Sequence, residues 1–346
     1  MRQLHVIIDG QYGSTGKGLL AGVIAKEQCI DTICTAWGPN AGHTFVDRTG
    51  KTWIHTMLAN GIVGSHVKRI LIGPGSVINP DNLQKEWIAS WDLLEGVGLA
   101  IHPHAAIVTD EHREIEDKTM TAIGSTKKGV GEAAIQRIRR DPNNSNVAKD
   151  CKHPFIKEHV VDTKTYQWLL DKADRVMVEG CQGFSLSMYH GFYPYTTSRD
   201  VSTYQSLADC GIPFGSVTPR VYGCFRTYPI RVANRFDESG NMVGTSGPCY
   251  PDQMELSWAD LGREPELTTV TKLPRRIFTW SDNQYVDAIK MLGVTDPFIN
   301  FMNYIKSEDT RHSFISRINR MGPKISYLGF GPSETDVLNA HQQWYI

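Results

Sequence analysis

Apolar positions along the chain fall into short runs separated by glycine-rich or polar turns, and the runs predict the elements. Leu4 to Ile8 form a compact apolar run that predicts a buried strand, and Gly10, Gly13, Gly16 and Gly18 punctuate the loop after it. Leu19 to Glu27 suit a helix. Ile30 to Ala36 and Arg69 to Ile72 predict two further strands, while WGPNAGHTF (37–45) between them has the composition of a loop. Pro80 opens a helix through Leu83, Trp87, Ile88 and Trp91. His102 to Val108 predicts a strand, and the polar stretch from Asp110 to Asp150 follows, with DPNNSN its most disorder-like part. Val176 to Val178 predicts a strand running into a Gly/Tyr/Ser loop through Asp200, too long for a plain connection. Val217–Arg226 and Lys324–Leu328 are strand-like, and Ser281–Leu292 helical. Alternating short strands and helices predict an α/β fold around a mainly parallel sheet, with ligands held by loops at the strand C-termini. No repeat or linker divides the chain, and a single elaborated domain over 1–346 is expected.

Composition narrows the class without naming a chemistry. The 346 residues hold 36 Lys+Arg against 37 Asp+Glu, a net charge of −1 that argues against a general nucleic-acid binder. Hydrophobic residues make up 40%, enough for a sizeable core. No apolar run reaches the ~18 residues of a spanning helix, so no membrane association is expected, and the start MRQLHVIIDG is too short in apolar residues for a signal peptide. The cysteines at 29, 34, 151, 181, 210, 224 and 249 are odd in number and never spaced CxxC. Free thiols in a reducing compartment follow, so the expected location is the cytoplasm, or that of the host if a phage encodes the chain.

Four segments carry candidate chemistry. DGQYGSTGKG (9–18) lies between a strand and a helix, where backbone N–H groups, the helix N-terminus and Lys17 suit phosphate. It is not a Walker loop: five residues separate Gly10 from Gly16, and Gly18 stands where a magnesium-binding hydroxyl belongs. In GPNAGHT (38–44), His43 sits between Gly42 and Thr44, placed to donate to a developing oxyanion or to be a surface histidine. VEGCQGFSLSMYHGFYPYTTS (178–198) offers Gln182, Thr196 and Thr197 as neutral hydrogen-bonding groups, or an aromatic loop packed on itself. KLPRRIFTW (272–280) pairs two arginines suited to carboxylates, though such doublets are commonly just solvated.

Taken in order, GSTGKG, NAGHT, EGCQG…FYPYTTS and VTKLPRR resemble the signatures of the adenylosuccinate synthetase family, with GSTKKGVG (124–131) and GFGPSE (329–334) as weaker matches. The resemblance runs from residue 9 to 334, nearly the whole chain. It implies a ligase that phosphorylates the 6-oxygen of a purine monophosphate and then displaces that phosphate with the amine of aspartate, using Mg2+ and a nucleoside triphosphate. By resemblance, Gly13, Thr15, Gly16, Lys17 and Gly18 cradle the transferred phosphate, and Thr44, Asn303, Gly331 and Pro332 join them around the donor. His43 acts as acid, and the Gly42 carbonyl helps hold magnesium. Asn40, Ser125, Thr126, Gln182 and Thr197 fall at the monophosphate. Arg140 falls where a partner subunit reaches that phosphate, implying a homodimer. Thr271, Arg275 and Arg276 fall in the aspartate loop.

Three departures from the family's pattern bear on the substrate. The loop aspartate that serves as base and metal ligand is Ser14, a poor base near pH 7. Its shorter, neutral side chain makes room for a 2-amino group, whose N–H its hydroxyl would accept. Leu273 stands where an arginine meets the ribose hydroxyl, which suits a 2′-deoxyribose. FMNYIK (301–306) replaces the segment that reads guanine, with Ile305 for its aspartate, so ATP or dATP becomes the expected donor. Together the departures resemble the phage branch of the family, the 2-aminoadenylosuccinate (N6-succino-2-amino-2′-deoxyadenylate) synthases, and imply dGMP, L-aspartate and ATP as substrates. An IMP-using synthetase, an inactive homologue, a non-catalytic nucleotide-binding regulator and a plain ATPase stay open as alternatives. Asp9, at the end of its strand, and the departing phosphate both stand as replacements for the missing base.

Overall fold

The computed structural model describes residues 3–213, 215, 217–268 and 272–340. At its centre is a nine-stranded sheet built from β1 (Gln3–Asp9), β2 (Thr32–Thr35), β3 (Arg69–Ile72), β4 (Gly98–Ile101), β5 (Arg175–Glu179), β6 (Arg220–Arg226), β7 (Asp296–Asn300), β8 (Tyr327–Gly329) and β9 (Val337–Asn339). Their spatial order is β9-β8-β7-β6-β1-β5-β2-β3-β4. Every pairing is parallel except β8–β9, which confirms the mainly parallel α/β reading. Early strands run outward to β4, β5 returns to lie beside β1, and later strands run out the other way. The reversal opens a crevice above the C-terminal ends of the central strands, where such sheets bind ligands.

The central strands are buried on both faces, and alternate residues feed two cores. Ile7, Met177 and Tyr222 join Leu20 and Ile24 on one face. Val6, Ile8, Val176 and Val178 join Tyr166 and Tyr285 on the other. Helix α1 (Lys17–Glu27) is buried along almost its whole length, which removes amphipathic periodicity and leaves its start to be set by Gly16. Ser281 caps the helix Asp282–Leu292 by accepting from the Gln284 N–H, and Gly293 ends it at φ 64°.

Three expectations need correction. The strand expected at His102–Val108 is displaced: the sheet strand is Gly98–Ile101, while Ala106–Ile107 pairs with Val77–Ile78 in a separate two-stranded ribbon. A strand opening on glycine and holding only four residues has little apolar signal. The polar stretch after residue 110 folds into two helices, Asp110–Thr119 and Val130–Arg139. Glu116 joins them, accepting from the Gly129 and Gly131 N–H groups at 2.7 and 2.8 Å. Finally, the expected loop at 37–45 ends in a strand, His43–Val46, paired antiparallel with Thr52–His55. His43 and Phe45 point inward and Thr44 outward, so the period-2 pattern was present but its inward member is a polar histidine.

One buried core group predicts a pH response. His5 accepts or donates at 3.2 Å to the Tyr222 hydroxyl, and its Nε2 is buried without a partner among the described residues. Burial first, then Arg220, lowers its pKa to about 4, with Asp296 opposing. The unfolded chain takes up the proton near the ordinary histidine pKa of about 6.5, whereas the folded chain does not. The stabilisation is therefore complete above about pH 6.5 and is lost as pH falls towards 4. His5→Gln should flatten the decline in Tm across that window; a decline identical to the wild type's would rule His5 out.

Candidate active site

Four adjacent parallel strands each end in a buried polar residue: Asp9 on β1, Glu179 on β5, Arg226 on β6 and Asn300 on β7. Their side chains point into the loops above them and hold those loops in place. Asp9 holds the phosphate loop. Its Oδ1 accepts from the Gln11 and Gly13 N–H groups at 2.8 and 3.2 Å; its Oδ2 accepts from Thr15 Oγ1 at 2.5 Å and Lys17 Nζ at 3.1 Å. Four donors occupy the four lone-pair positions of the carboxylate, so Asp9 is an anchor and not a free base. Asn300 Nδ2 donates to the Thr15 carbonyl at 3.2 Å and Arg226 Nη1 to the Ser14 carbonyl at 3.2 Å.

The loop's own conformation follows from these ties. Gly16 has φ 91°, in the left-handed region, and a Cβ there would lie 2.2 Å from Asn300 Nδ2, so only glycine serves. After it the first turn of α1 presents unpaired N–H groups, a ready anion site. Lys17, almost fully buried, donates to Asp9 and to the Gln182 carbonyl at 3.0 Å, which leaves one ammonium hydrogen for a ligand. Gly183 lets the second loop close on the first: a Cβ there would lie 2.3 Å from the Gln11 carbonyl and 2.5 Å from the Gly13 nitrogen.

His43 enters from the hairpin. Its Nδ1 lies 2.6 Å from Glu179 Oε1, while Glu179 Oε2 accepts from the Asn60 N–H at 2.8 Å. A carboxylate accepts, so Nδ1 carries the hydrogen and Nε2 faces away from Glu179. Trp37 packs edge-on against the imidazole with centroids 4.2 Å apart. Burial lowers the His43 pKa, with Glu179 pushing it back and Lys17 adding to the fall. The pair is an oriented proton carrier beside the N-terminus of α1, where a Cβ on Gly18 would lie 3.0 Å from His43 Cβ.

Most expected site residues gather around this crevice. Ser14 sits on the loop's exposed side at φ 56°, and its hydroxyl has no partner among the described residues. A Cβ on Gly38 would lie 2.9 Å from Val130, and one on Gly131 would lie 3.7 Å from Ser198. These contacts bring together the 38–44 loop that carries Asn40, Gly42 and Thr44, the start of the helix Val130–Arg139 and the Thr197 segment, while the Ser125 carbonyl, ahead of that helix, accepts from Arg235 Nη2. Gly331 and Pro332 are drawn to the hairpin, where Ser333 Oγ donates to the Asp47 carbonyl and Glu334 accepts from the Arg48 N–H. Asn303 lies just beyond β7; its carbonyl accepts from Arg263 Nη2 at 2.6 Å, and its Oδ1 is buried without a partner among the described residues.

Other expected positions differ. The Thr15 hydroxyl is turned inward to Asp9, leaving only backbone for a phosphate. Arg276 is fully engaged, with both oxygens of Glu255 at 2.7 and 2.6 Å, the Gly247 carbonyl at 2.6 Å and Ser246 Oγ at 3.0 Å. The Arg275 guanidinium has no partner of that kind among the described residues, and burial lowers its pKa against the pull of Glu266. Leu273 is partly exposed in the same loop. Thr271 lies outside the described residues. Arg140 is exposed beyond the far end of its helix, about 15 Å from the N-terminus that abuts the site.

Among the described residues no group of three or more His, Cys, Asp or Glu could hold a metal ion, and no helix is long and apolar enough to cross a membrane. All seven cysteines are free, and burial pushes the Cys34, Cys181, Cys210 and Cys224 thiols up, away from reactivity. Glu179, Arg226, Asn300 and Glu266 were not picked out from sequence. The signal available for the first three was a polar residue closing an otherwise apolar strand.

A parallel sheet with an anion-binding glycine loop, a lysine and a carboxylate-oriented histidine at its switch point defines a nucleotide-binding α/β phosphotransfer enzyme. Comparison with known proteins gives the particular family. The profile of adenylosuccinate synthetase matches residues 6–150 and 142–307. The chain is 46% identical over 362 residues to the N6-succino-2-amino-2′-deoxyadenylate synthase of Acinetobacter phage SH-Ab 15497, covering 97% of this chain and 93% of the relative. The adenylosuccinate synthetase of Methanocaldococcus jannaschii is 29% identical, covering 98% and 97%. A solved structure of cyanophage S-2L succinoaminodeoxyadenylate synthetase, bound to dGMP and to dATP as an energy donor, matches with a TM-score of 0.91 at 45% identity, over 98% of this chain and 95% of that one. The fully ligated adenylosuccinate synthetase of Plasmodium falciparum shares the fold, with a TM-score of 0.80 at 17% identity. This chain belongs to the adenylosuccinate synthetase family of carbon–nitrogen ligases.

Proposed function

We propose that this protein joins L-aspartate to C6 of dGMP at the expense of ATP or dATP, giving N6-succino-2-amino-2′-deoxyadenylate, a precursor of 2-aminoadenine DNA. The observation that carries the reading is the neutral, exposed and unengaged Ser14 hydroxyl on the ligand side of the phosphate loop. An aspartate there would meet the edge of guanine with charge and bulk, whereas a serine leaves space and an acceptor for the 2-amino group. The similarity to phage synthases whose names state this product supports it.

In the first step the purine 6-oxygen attacks the γ-phosphorus, the new O–P bond forms and the bond to the β-phosphate oxygen breaks. Lys17 and the α1 N-terminus hold the transferred group, and His43 donates a proton to the oxygen on which charge develops. In the second step the aspartate amine attacks C6 and inorganic phosphate leaves. With Asp9 fully committed to the loop, the oxygens of the γ-phosphoryl group in transfer are the remaining acceptor for the N1 proton given up in the first step, and the departing phosphate takes the proton that the aspartate amine releases in the second. A Mg2+ ion would be held chiefly by donor phosphates, because the loop offers no free carboxylate; the exposed Gly42 carbonyl is this chain's own contribution. Bound there, the ion neutralises charge on the triphosphate. Asn303, Thr44, Gly331 and Pro332 surround the donor, and Asn40, Ser125, Thr126, Gln182 and Thr197 the monophosphate.

Arg275 is the aspartate carboxylate's partner in this scheme, because Arg276 is already spent on Glu255. Arg275→Ala should raise the KM for aspartate by about tenfold or more. Arg276→Ala should leave that KM within about twofold and lower Tm instead. A larger rise in the Arg276 variant than in the Arg275 variant would reverse the assignment. The chain works as one domain in a homodimer, in which Arg140, remote from its own crevice, reaches the monophosphate of the partner's site.

The deciding experiment measures phosphate release with IMP, GMP and dGMP, each against ATP, dATP and GTP, with Mg2+ and aspartate. Turnover with dGMP and an adenine donor is expected. Efficient use of IMP with none of dGMP would establish the IMP-using alternative, and no release in any combination would favour a non-catalytic regulator.

A further inference from the structure

Arg226 is a buried guanidinium that the reaction itself does not use. It closes β6, and its side chain is fully buried. Nη1 donates to the Ser14 carbonyl of the phosphate loop at 3.2 Å. Nη1 and Nη2 grip Glu266 at 3.2 and 2.5 Å. The guanidinium lies 3.8 Å from the centroid of the Phe301 ring, in the segment after β7. Tyr304, from that segment, donates its hydroxyl to Glu266 at 3.0 Å. Glu266 in turn forms the base of the 266–275 loop: its carbonyl accepts from the Arg275 N–H at 2.8 Å, and Leu267 bridges Pro274.

One side chain thus joins the phosphate loop, the loop that presents Arg275 and the segment that carries Asn303. We propose that Arg226, with Glu266, is a positioning pair through which donor binding at the phosphate loop and aspartate binding at the Arg275 loop are coupled. The physical basis is that the Ser14 carbonyl, Glu266 and the Phe301 face share one rigid planar donor set. A shift of the phosphate loop about an occupying phosphate re-aims the fork that holds Glu266, and with it Arg275. Glu266 also balances Arg226, which leaves the Arg275 charge free for a carboxylate. Lysine would not serve at position 226, because a single ammonium cannot span the carbonyl and both carboxylate oxygens in one plane. Coupling of this kind is reciprocal and is typically about 5–150-fold.

This inference rests on the proposed reaction for its substrates. Its test is the KM for aspartate at low and at saturating dATP, in wild type, Arg226→Met, Arg226→Lys and Glu266→Gln. In wild type the KM should fall by about fivefold or more as dATP saturates. In all three variants the ratio should collapse to about one, and in Glu266→Gln, which keeps the Arg226 tie to the Ser14 carbonyl, the KM for dGMP should change less than about twofold. The double variant Arg226→Met/Glu266→Gln should be no worse than either single change, because both break the same link. If Arg226→Met does not fold, Glu266→Gln carries the test, since Glu266 is partly exposed and Gln keeps its shape. A ratio that persists in Glu266→Gln overturns the proposal, as does a wild-type ratio near one. A purely structural role would lower Tm and scale all constants together without touching the ratio. Amide exchange of residues 264–268 and 272–278 with and without ATP–Mg2+ reads the same link with no monophosphate present. Protection in wild type that vanishes in Glu266→Gln supports the link even if dGMP is not the substrate, and unchanged protection refutes it. Failure of the proposed reaction and failure of the coupling are therefore separable.

Discussion

Replacing His43 by Asn lowers aspartate-dependent phosphate release by about 10²–10⁴-fold, the contribution expected of a positioned general acid. Asparagine is the informative replacement because its amide N–H still satisfies Glu179, so the carboxylate is not left buried and unpaired. A loss of activity without a loss of Tm then isolates the proton on Nε2. A second readout comes from the titration. Burial holds the imidazole neutral in the empty site, with its hydrogen on the Nδ1 that faces Glu179. Phosphate groups placed beside Nε2 favour the imidazolium, so loading the site with donor and monophosphate draws in a proton near pH 7. Calorimetry in buffers of different ionisation enthalpy detects that uptake in wild type and finds it missing in His43→Asn. Activity within tenfold of wild type in the variant would remove His43 from the chemistry.

Ser14→Asp should reduce kcat/KM for dGMP by about 10²-fold and raise the use of IMP. The backbone at position 14 is left-handed, φ 56°, a region in which aspartate is among the better tolerated residues. The Ser14 carbonyl keeps its tie to Arg226 whatever the side chain, so the loop's conformation is preserved. The substitution is therefore a change at the ligand edge with little change in the scaffold. It introduces a carboxylate that can accept from the N1–H of IMP, while its added bulk crowds the 2-amino group of guanine. Measured with both monophosphates under one set of conditions, undiminished dGMP turnover would mean that Ser14 does not set the choice of base.

The glycine loop, the strand before it and the helix after it were legible because local chemistry specifies them: an apolar run, punctuating glycines and a lysine in fixed order. The parallel sheet was legible for a similar reason, since alternation of short apolar runs with helices admits few architectures. Strand β4 was misplaced because Gly98–Ile101 sits at the sheet edge and is too short to declare itself. The helices after residue 110 were missed because their inward groups include His112 and Glu116, polar side chains satisfied by capping rather than by apolar packing.

The same distinction separates what each level decided. Sequence alone determined the family, the glycine loop with its Lys17 and the departures at Ser14, Leu273 and Ile305, since these are identities at positions in a linear pattern. Only the tertiary structure decided which of those groups are free. It committed all four lone pairs of Asp9, turned Thr15 inward, engaged Arg276 and left Arg275 open. It also set Glu179 behind His43, 136 residues away in the chain. Hydrogen-bond capacity is filled by whatever lies within about 3 Å, and residues from β1, β5, β6 and β7 come within that distance only when the sheet has formed. A charge written in the sequence becomes available for catalysis only if folding leaves it without a partner.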